Sequence, residues 1–181
     1  MFRSSLLLSL VAAGSLGAQS PRPMTFLDAQ NMRQVAGPDL SPDGKSMVYS
    51  LITPDWNQAR GQWDLYVVST DRGVSSTRQL TFTTDKNEMS PHWSRDGSFI
   101  AFLSDRDAAP SGNASGGGRG AAAGAGGAGG AGSRNQLFIM RMDGGEARRI
   151  TDAREGVSGF SFSKDGKSIV YVAGRTGDEQ L

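Results

Sequence analysis

The residues of this chain that are able to do nucleophilic or acid–base chemistry are few, because it has one histidine and no cysteine. Any serine–histidine–aspartate mechanism within its 181 residues would have to use His92. Pro91 and Trp93 flank this histidine in a predicted strand just ahead of a turn, a position that predicts a structural or channel-lining role. The nucleophile motif Gly-x-Ser-x-Gly does not occur in the sequence. We therefore predict no catalytic residue here and expect the chain alone to be inactive.

Cofactor and metal chemistry find equally little support. The stretch Gly124–Gly129 formally matches the dinucleotide fingerprint G-x-G-x-x-G. That fingerprint requires a strand before it and a helix after it. Here it lies inside a glycine- and alanine-rich tract and is followed by a predicted strand. One histidine and no cysteine do not supply a zinc site. We predict no cofactor and no metal ion.

The most informative pattern is a Ser-x-Asp-Gly turn that occurs three times, each time followed by an alternating apolar strand. An aspartate at this position accepts backbone N–H bonds two residues on, and glycine supplies the positive φ of a tight hairpin. The pattern therefore predicts turn formation rather than catalysis. The predicted structural turn residues are Ser41, Asp43, Gly44, Ser94, Asp96, Gly97, Ser163, Asp165 and Gly166. Self-similarity over tens of residues indicates a repeat architecture.

Each repeat is predicted to hold four short strands. The first strand ends at the Ser-x-Asp-Gly turn and the second begins just after it. The third and fourth are residues 64–69 and 78–81 in the first copy, and 136–141 and 148–151 in the second. Four antiparallel strands joined by Asp/Gly turns are typical of a propeller blade. The predicted fold is all-β, a partial β-propeller of about two and a half four-stranded antiparallel blades.

Three finer expectations follow from aligning the repeats. The residue before each turn serine is apolar and is expected to pack between neighbouring blades; these residues are Leu40, Trp93 and Phe162. In the first blade, residues 53–62 are expected to form a loop. In the second, Asp105 and Arg106 are expected to form an ion pair at a loop edge, where such a pair contributes little to stability.

The spacing of the turn serines predicts the domain plan. It is 53 residues from Ser41 to Ser94 and 69 from Ser94 to Ser163, and the glycine- and alanine-rich tract 108–133 accounts for the excess. Such a composition buries too little apolar surface to order itself, so we expect a flexible loop there. The predicted domains are a signal peptide (1–18), a linker with a possible short helix (19–34) and a propeller fragment (35–181). The fragment divides into blade one (about 35–83), blade two (about 88–151) and an incomplete blade three (about 156–181).

The first 18 residues have the pattern of a secretory signal, with Arg3 ahead of an apolar stretch and a small-residue cleavage site at Ala18. The apolar stretch is shorter than the roughly 20 residues that span a membrane. Cleavage after Ala18 would leave 18 basic against 18 acidic residues. A neutral chain argues against nucleic-acid binding. We predict a secreted or periplasmic protein with no nucleic-acid partner and no stable membrane span.

Four segments carry a family resemblance: 37–44, 64–68, 78–81 and 90–97. The chain resembles the N-terminal propeller of secreted prolyl oligopeptidase-family serine peptidases, the acylaminoacyl-peptidase and dipeptidyl-peptidase relatives, and is also similar to the propeller of TolB. In those peptidases the resemblance implies an α/β-hydrolase domain that supplies the serine, aspartate and histidine. These residues do not include that domain, so no family catalytic residue is carried onto any position. The third repeat reaches Leu181 in mid-strand, and we expect a fragment of a larger ring.

Two functional hypotheses follow from the resemblance, and a third is a bare repeat protein with no further role. In the first, the chain is the propeller fragment of a secreted serine peptidase, whose missing hydrolase domain hydrolyses peptide substrates while the propeller gates their access. In the second, it belongs to a non-catalytic periplasmic propeller, similar to TolB, that binds protein partners. A downstream Gly-x-Ser-x-Gly followed by aspartate and histidine would favour the first, and further blades followed by a stop would favour the second.

Overall fold

The computed structural model describes residues 22–106 and 134–174. The predicted signal peptide 1–18, the glycine-rich tract with its G-x-G-x-x-G match, and the chain end at Leu181 lie outside the described residues. The described part contains one short helix and ten strands. Their bounds are α1 Phe26–Gln30, β1 Gln34–Leu40, β2 Ser46–Asp55, β3 Arg60–Ser69, β4 Gly73–Gln79, β5 Glu88–Trp93, β6 Phe99–Ser104, β7 Gln136–Arg141, β8 Arg148–Arg149, β9 Val157–Phe162 and β10 Ile169–Ala173.

The described strands form three antiparallel sheets. The first has the order β1-β2-β3-β4, the second β5-β6-β7-β8, and the third pairs β9 with β10. The Ser-x-Asp-Gly turn closes the first hairpin of every sheet, where its glycine adopts φ of +70° or +71°. Because every connection within a sheet joins neighbouring strands, the repeat builds a simple meander. The predicted all-β class with antiparallel sheets is confirmed, and the number of blades stays a prediction.

The sheets stack on one another in chain order. We call the face of a sheet toward the following sheet its leading face, and the opposite face its trailing face. Side chains alternate between faces along a strand, so each strand supplies both. The interface of the first and second sheets buries Val48, Leu65, Ile100, Phe102, Phe138 and Met140. The interface of the second and third buries Ala101, Leu103, Leu137 and Val157. Each fully buried side chain of this kind stabilises the fold by about 1.5–3 kcal/mol.

The hairpin between β2 and β3 is longer than the sequence predicts. Antiparallel pairing continues through Thr53–Gln62 to Asp55–Arg60. The Asp55 carboxylate accepts the backbone N–H groups of Asn57 and Gln58 at 3.0 and 3.2 Å, which closes the turn. The expected loop over 53–62 is therefore wrong, because a side chain that caps the turn lets the ladder run almost to its tip.

The three apolar residues that precede the turn serines differ in burial. Trp93 packs against the cluster between the first two sheets, and the Phe162 ring lies 5.8 Å from that of Phe99 across the second interface. Leu40 is 53% exposed. The expected packing between blades holds for the first two residues and stays a prediction for Leu40, because no described sheet lies against the trailing face of the first sheet.

Two local features lie at edges of the fold. Pro91 lies in β5, the edge strand of the second sheet, where the pairing with β6 is irregular between Met89 and His92. Proline is compatible with this position because an edge strand with a bulge does not need every N–H in the ladder. The helix α1 begins with a capping box, in which the Asp28 backbone N–H donates to the Thr25 hydroxyl and the Thr25 backbone N–H donates to the Asp28 carboxylate. None of its residues is buried.

Candidate functional site

The sheets have two rims with different chemistry. The turn rim carries the three Ser-x-Asp-Gly turns. The hairpin rim, at the other ends of the strands, carries the β2–β3 hairpin, the connection 80–87 and the ends of β6 and β7.

The turn rim repeats one set of hydrogen bonds three times. In each turn the serine hydroxyl donates to the aspartate at 2.5–2.6 Å. The same serine oxygen accepts a backbone N–H from five residues on at 2.9–3.1 Å. The aspartate accepts the backbone N–H two residues on at 3.1 Å. The residues so placed are Ser41, Asp43, Gly44, Ser94, Asp96, Gly97, Ser163, Asp165 and Gly166. Each serine hydroxyl and one carboxylate oxygen of each aspartate therefore have a local structural use.

These hydrogen bonds also set the ionisation of the turn aspartates. The Ser94 hydroxyl, followed by the Ser98 backbone N–H, lowers the pKa of Asp96 to about 2. The equivalent serine and backbone donors lower the pKa of Asp43 and Asp165 as well. Donors that stabilise the charged form always act in this direction. A carboxylate held ionised in this way is unsuited to general acid or base catalysis near neutral pH.

Successive turns also contact each other. A Cβ placed on Gly97 would lie 3.6 Å from the Pro42 side chain, and one on Gly166 would lie 3.2 Å from Arg95. Pro42 and Arg95 are the variable residues of the first and second turns, so each covers the glycine of the following turn. Nothing lies within 4 Å of the same position on Gly44.

His92 lies on β5, the first strand of the second sheet. Its Nδ1 is 3.5 Å from the Asp39 carboxylate, and its ring meets the edge of Phe160 at 5.4 Å. Asp39 also accepts the Trp93 backbone N–H at 2.8 Å. The side chain of His92 is 50% exposed and lines a cleft of about 510 Å³. It therefore connects β1, β5 and β9.

The hairpin rim holds a buried ion pair. Glu88 is fully buried, and its Oε1 accepts from Thr83, Ser104 and Arg106 at 2.6, 3.3 and 2.9 Å. The Arg106 guanidinium lies 5.7 and 5.6 Å from the ring centres of Phe102 and Phe138, within cation–π range. Carboxylate, guanidinium and stacked rings thus form one unit at the interface of the first two sheets.

Asp105 takes no part in that unit. Its carboxylate accepts the Asn87 backbone N–H at 2.7 Å and the Asn87 side-chain amide at 3.2 Å. The expected pairing of Asp105 with Arg106 is wrong, because Arg106 turns inward to Glu88 on the neighbouring strand. A charged residue at the first position of β5 was the available sequence signal for Glu88.

Asp64 is the residue of the hairpin rim with the most altered ionisation. Burial, followed by the negative charge of Glu88, raises the pKa of its carboxyl to about 6. A hydrogen bond with Gln79 opposes this shift. Asp64 lines a cleft of about 300 Å³ next to Thr83, the partner of Glu88. This rim therefore holds a carboxyl group whose pKa is raised by burial and by a neighbouring negative charge.

The described residues contain neither a metal-binding cluster nor a helix that could span a membrane. Within residues 22–106 and 134–174, no three histidine, aspartate or glutamate side chains lie close enough to hold a metal ion. Over the same part of the chain, no helix is long and apolar enough to cross a membrane.

The curated proteins that resemble the chain are peptidases. No family model matches it. Dipeptidyl-peptidase 5 of Porphyromonas endodontalis is 29% identical over 142 residues, which are 78% of this chain and 16% of that protein. The uncharacterized peptidase YuxL of Bacillus subtilis is 31% identical over 152 residues, which are 82% of this chain and 19% of that protein. The chain thus spans less than a fifth of the length of these curated relatives.

Comparison with solved structures concerns the fold. Acylaminoacyl peptidase of Pyrococcus horikoshii superposes with a TM-score of 0.55 at 14% identity, over 84% of this chain and 19% of that one. The β-propeller domain of the Trilobed protease from Pyrococcus furiosus superposes with a TM-score of 0.50 at 12% identity, over 78% and 34%. TolB from Agrobacterium tumefaciens gives 0.52 at 25% identity, over 80% and 39%. The resemblance predicted from the repeat is confirmed: the chain is homologous to dipeptidyl-peptidase 5 and the peptidase YuxL and has the β-propeller fold, consistent with the propeller portion of a peptidase.

Proposed function

We propose that the chain is the propeller portion of a secreted or periplasmic serine peptidase. Peptide hydrolysis is then carried out by an α/β-hydrolase domain that these residues do not include, and the propeller gates access of peptide substrates to it. The observation that supports this proposal most strongly is the sequence identity with two peptidases over about four-fifths of the chain. The name of the first relative suggests dipeptide release from peptide N-termini as the activity to test.

The chemistry of the described residues is compatible with this division of labour. The turn aspartates are ionised and engaged in structure, and the single histidine lies 3.5 Å from the Asp39 carboxylate and packs on Phe160. Neither group has the arrangement of a nucleophile with its base. A propeller whose own residues build the scaffold is expected to affect which substrates enter rather than the bond-breaking step.

The test uses the complete coding sequence that contains this chain. We expect the complete protein to release dipeptides from chromogenic dipeptidyl substrates, and the 181-residue chain to release none. Replacing the serine of a downstream Gly-x-Ser-x-Gly by alanine should abolish the activity without changing the circular dichroism spectrum. A complete protein that has no such motif and no hydrolytic activity would refute the proposal.

The gating role has its own experiment. With the complete protein, kcat/KM for peptides that share one N-terminal sequence should fall as peptide length increases, because the propeller excludes long chains. Equal kcat/KM for short peptides and for an unfolded protein with the same N-terminus would show that the propeller does not gate. Fractionation of cells that express the complete gene tests export, since a secreted or periplasmic protein should leave the cytoplasm with residues 1–18 removed.

A second candidate function is a non-catalytic periplasmic propeller that binds protein partners. The similarity to TolB, at 25% identity over 80% of the chain, favours it. Under this alternative, the complete gene would encode further Ser-x-Asp-Gly repeats followed by a stop codon. Peptidase activity of the complete protein would exclude it.

A further inference from the structure

Further sheets of the same protein would leave the two rims of the stack uncovered. Sheets stack face to face, so an added sheet lies against the trailing face of the first sheet or the leading face of the third. The matched part of this chain spans only 16% and 19% of the length of the two peptidases it resembles. The rims and the outer strands β4 and β8 are therefore the surfaces that remain available to a domain of another fold.

Chain topology distinguishes the two rims. The strand β1 starts at the hairpin rim, and after a meander of four strands the chain returns to that rim at the end of β4. The connection 80–87 begins the second sheet there, and the connection 150–156 begins the third. An even number of strands in a sheet brings the chain back to the rim at which it entered. A domain joined to the propeller before its first complete sheet or after its last is therefore attached at the hairpin rim.

The hairpin rim also carries exposed aromatic side chains. Trp56 at the tip of the β2–β3 hairpin is 58% exposed, and Phe82 in the connection to the second sheet is 76% exposed. Each lines a cleft to which Arg60 also contributes. Met32, which lines the same cleft as Trp56, is 55% exposed. Apolar side chains grouped in this way at a surface mark an interaction site.

The turn rim is charged instead. Its exposed ionisable side chains include Asp43, Lys45, Arg95, Asp96, Lys164 and Asp165. Leu40 and Val74 are exposed near this rim, but they are aliphatic and lie on β1 and β4, at opposite edges of the first sheet. Charged groups lose hydration when a partner covers them. The turn rim is therefore suited to face solvent.

Polar contacts hold the aromatic residues of the hairpin rim on one platform. The Asp85 carboxylate accepts from the Gln58 side chain at 2.9 Å and pairs with Arg60 at 3.2 Å. The Gln62 side chain donates to the Thr83 carbonyl oxygen at 3.2 Å. These bonds join the tip of the β2–β3 hairpin to the connection 80–87, so the two exposed rings are fixed relative to each other.

The backbone of this platform is strained at two positions. Ala59 and Asp85 adopt φ of 49° and 65°, the left-handed region that residues with a Cβ seldom occupy. Such a conformation persists only where the surrounding contacts enforce it, and it occurs preferentially at functional sites. The platform is therefore a preformed surface, which lowers the entropic cost of binding a partner.

We propose that the catalytic domain of the complete peptidase docks on the hairpin rim, with Trp56 and Phe82 in the contact, and that the turn rim faces solvent. The inference rests on the proposed function, which supplies the catalytic domain as the partner. Topology attaches that domain at this rim, and the exposed rings give it apolar surface to bury. Aromatic side chains are enriched in the buried part of such contacts.

The test is photo-crosslinking within the complete protein. In one variant the photoreactive residue p-benzoylphenylalanine replaces Phe82. In the matched control it replaces Val74, which is 87% exposed at the turn end of β4. After irradiation, mass spectrometry of the digested monomer should find the Phe82 position joined to a peptide of the catalytic domain and the Val74 position joined to none. A Phe82 position that is joined to another sheet, to a second copy or to nothing would overturn the proposal.

A second measurement compares two lysine substitutions in the complete protein. Phe82→Lys should lower its melting temperature, because a lysine charge would be buried at the contact without a partner. Val74→Lys should leave the melting temperature unchanged. Circular dichroism below the transition establishes that both variants are folded, and equal melting temperatures would contradict the docking.

The results separate this inference from the proposed function. A complete protein that hydrolyses dipeptidyl substrates but gives no crosslink from the Phe82 position to its catalytic domain would overturn this inference alone. A complete gene that encodes no Gly-x-Ser-x-Gly motif would refute both.

Discussion

The turn rim and the hairpin rim of the same strands follow different rules. On the turn rim, three copies of one motif make the same hydrogen bonds, and the aspartate carboxylates are exposed and easily ionised. On the hairpin rim the sheets differ: the second has the buried pair Glu88–Arg106, and the equivalent residues of the first are Val35 and Thr53. The Ser-x-Asp-Gly hydrogen bonds recur in all three sheets on the turn rim, whereas the buried ion pair of the opposite rim belongs to the second sheet.

The two rims differ in how their polar contacts contribute to the free energy of folding, as well as in sequence. A hydrogen bond at an exposed turn replaces one with water, so its net contribution is modest. A charge in a dry interface loses its hydration and depends entirely on its partner. The two rims should therefore respond very differently to the removal of one partner. Two pairs of variants compare the rims with each other, and a third pair compares two turns of the turn rim.

The largest effect is expected for Arg106→Ala. It leaves Glu88 fully buried without its cation, which typically destabilises a protein by about 3–5 kcal/mol. Urea unfolding followed by tryptophan fluorescence measures the change. The matched variant is Arg141→Ala, which removes an arginine paired with Asp143 on the turn rim, where both side chains are exposed. It should leave the unfolding midpoint unchanged.

A second substitution checks the reason for this effect. Adding Glu88→Gln to Arg106→Ala removes the buried charge and should recover part of the lost stability. If Arg106→Ala and Arg141→Ala destabilise equally, the two rims do not differ in the proposed way.

A smaller effect is expected within the turn rim itself. Ser94→Ala removes a hydroxyl that is 2% exposed and bonds both Asp96 and the Phe99 backbone. We expect a loss of about 1–2 kcal/mol, because a buried N–H loses its acceptor. Ser163→Ala makes the same chemical change in the more exposed third turn and should have a smaller effect. Thermal unfolding of the two variants side by side measures the difference, and equal losses would show that burial does not control the strength of these turns.

The smallest effect is expected for Asp64→Asn, and it depends on pH. Because the pKa of Asp64 is raised to about 6 in the folded state, the folded protein binds more protons than the unfolded one between about pH 4 and pH 6. Wild-type stability from this group is therefore present at low pH and lost as pH rises through that range. Asp64→Asn should be more stable than the wild type at pH 7.5 by about 1 kcal/mol, allowing for solvent screening. The gain should vanish at pH 4.

Asp96→Asn should change the pH dependence of stability in the opposite direction to Asp64→Asn. The pKa of Asp96 is lowered to about 2, so its contribution to stability is present above about pH 4 and lost as pH falls toward 2. The variant should be less stable than the wild type at pH 7.5, and the deficit should shrink in acid. Stability curves of both variants from pH 2.5 to 7.5 measure the two signs together, and parallel curves would contradict the contrast.

The repeat made the fold predictable because its information is local. A Ser-x-Asp-Gly turn forms bonds within five residues, so a short stretch is enough to recognise it, and the strands follow from the alternation beside it. The hairpin rim depends on contacts that no short stretch contains. Glu88 and Arg106 are 18 residues apart, and the raised pKa of Asp64 depends on burial and on a charge from another sheet.

The extent of single elements was also hard to predict. Residues 53–62 contain Pro54 and Gly61, which are typical of loops, yet the Asp55 cap allows the hairpin to continue through both. Leu40 follows the repeat pattern of Trp93 and Phe162 but remains exposed, because its burial depends on a neighbouring sheet rather than on its own sequence.

The contact of Pro42 with Gly97, repeated by Arg95 with Gly166, has a consequence for how such a chain changes in evolution. The first and second turns each place a side chain against the following turn, and the second and third turns each place a glycine against the preceding one. A duplicated unit that includes the whole turn brings both the covering side chain and the glycine, and it fits at either junction. A unit cut within the turn would bring the covering side chain without the glycine, or the glycine without the side chain. Growth or loss of such an array by whole repeats preserves every junction, and this contact therefore favours change in complete units.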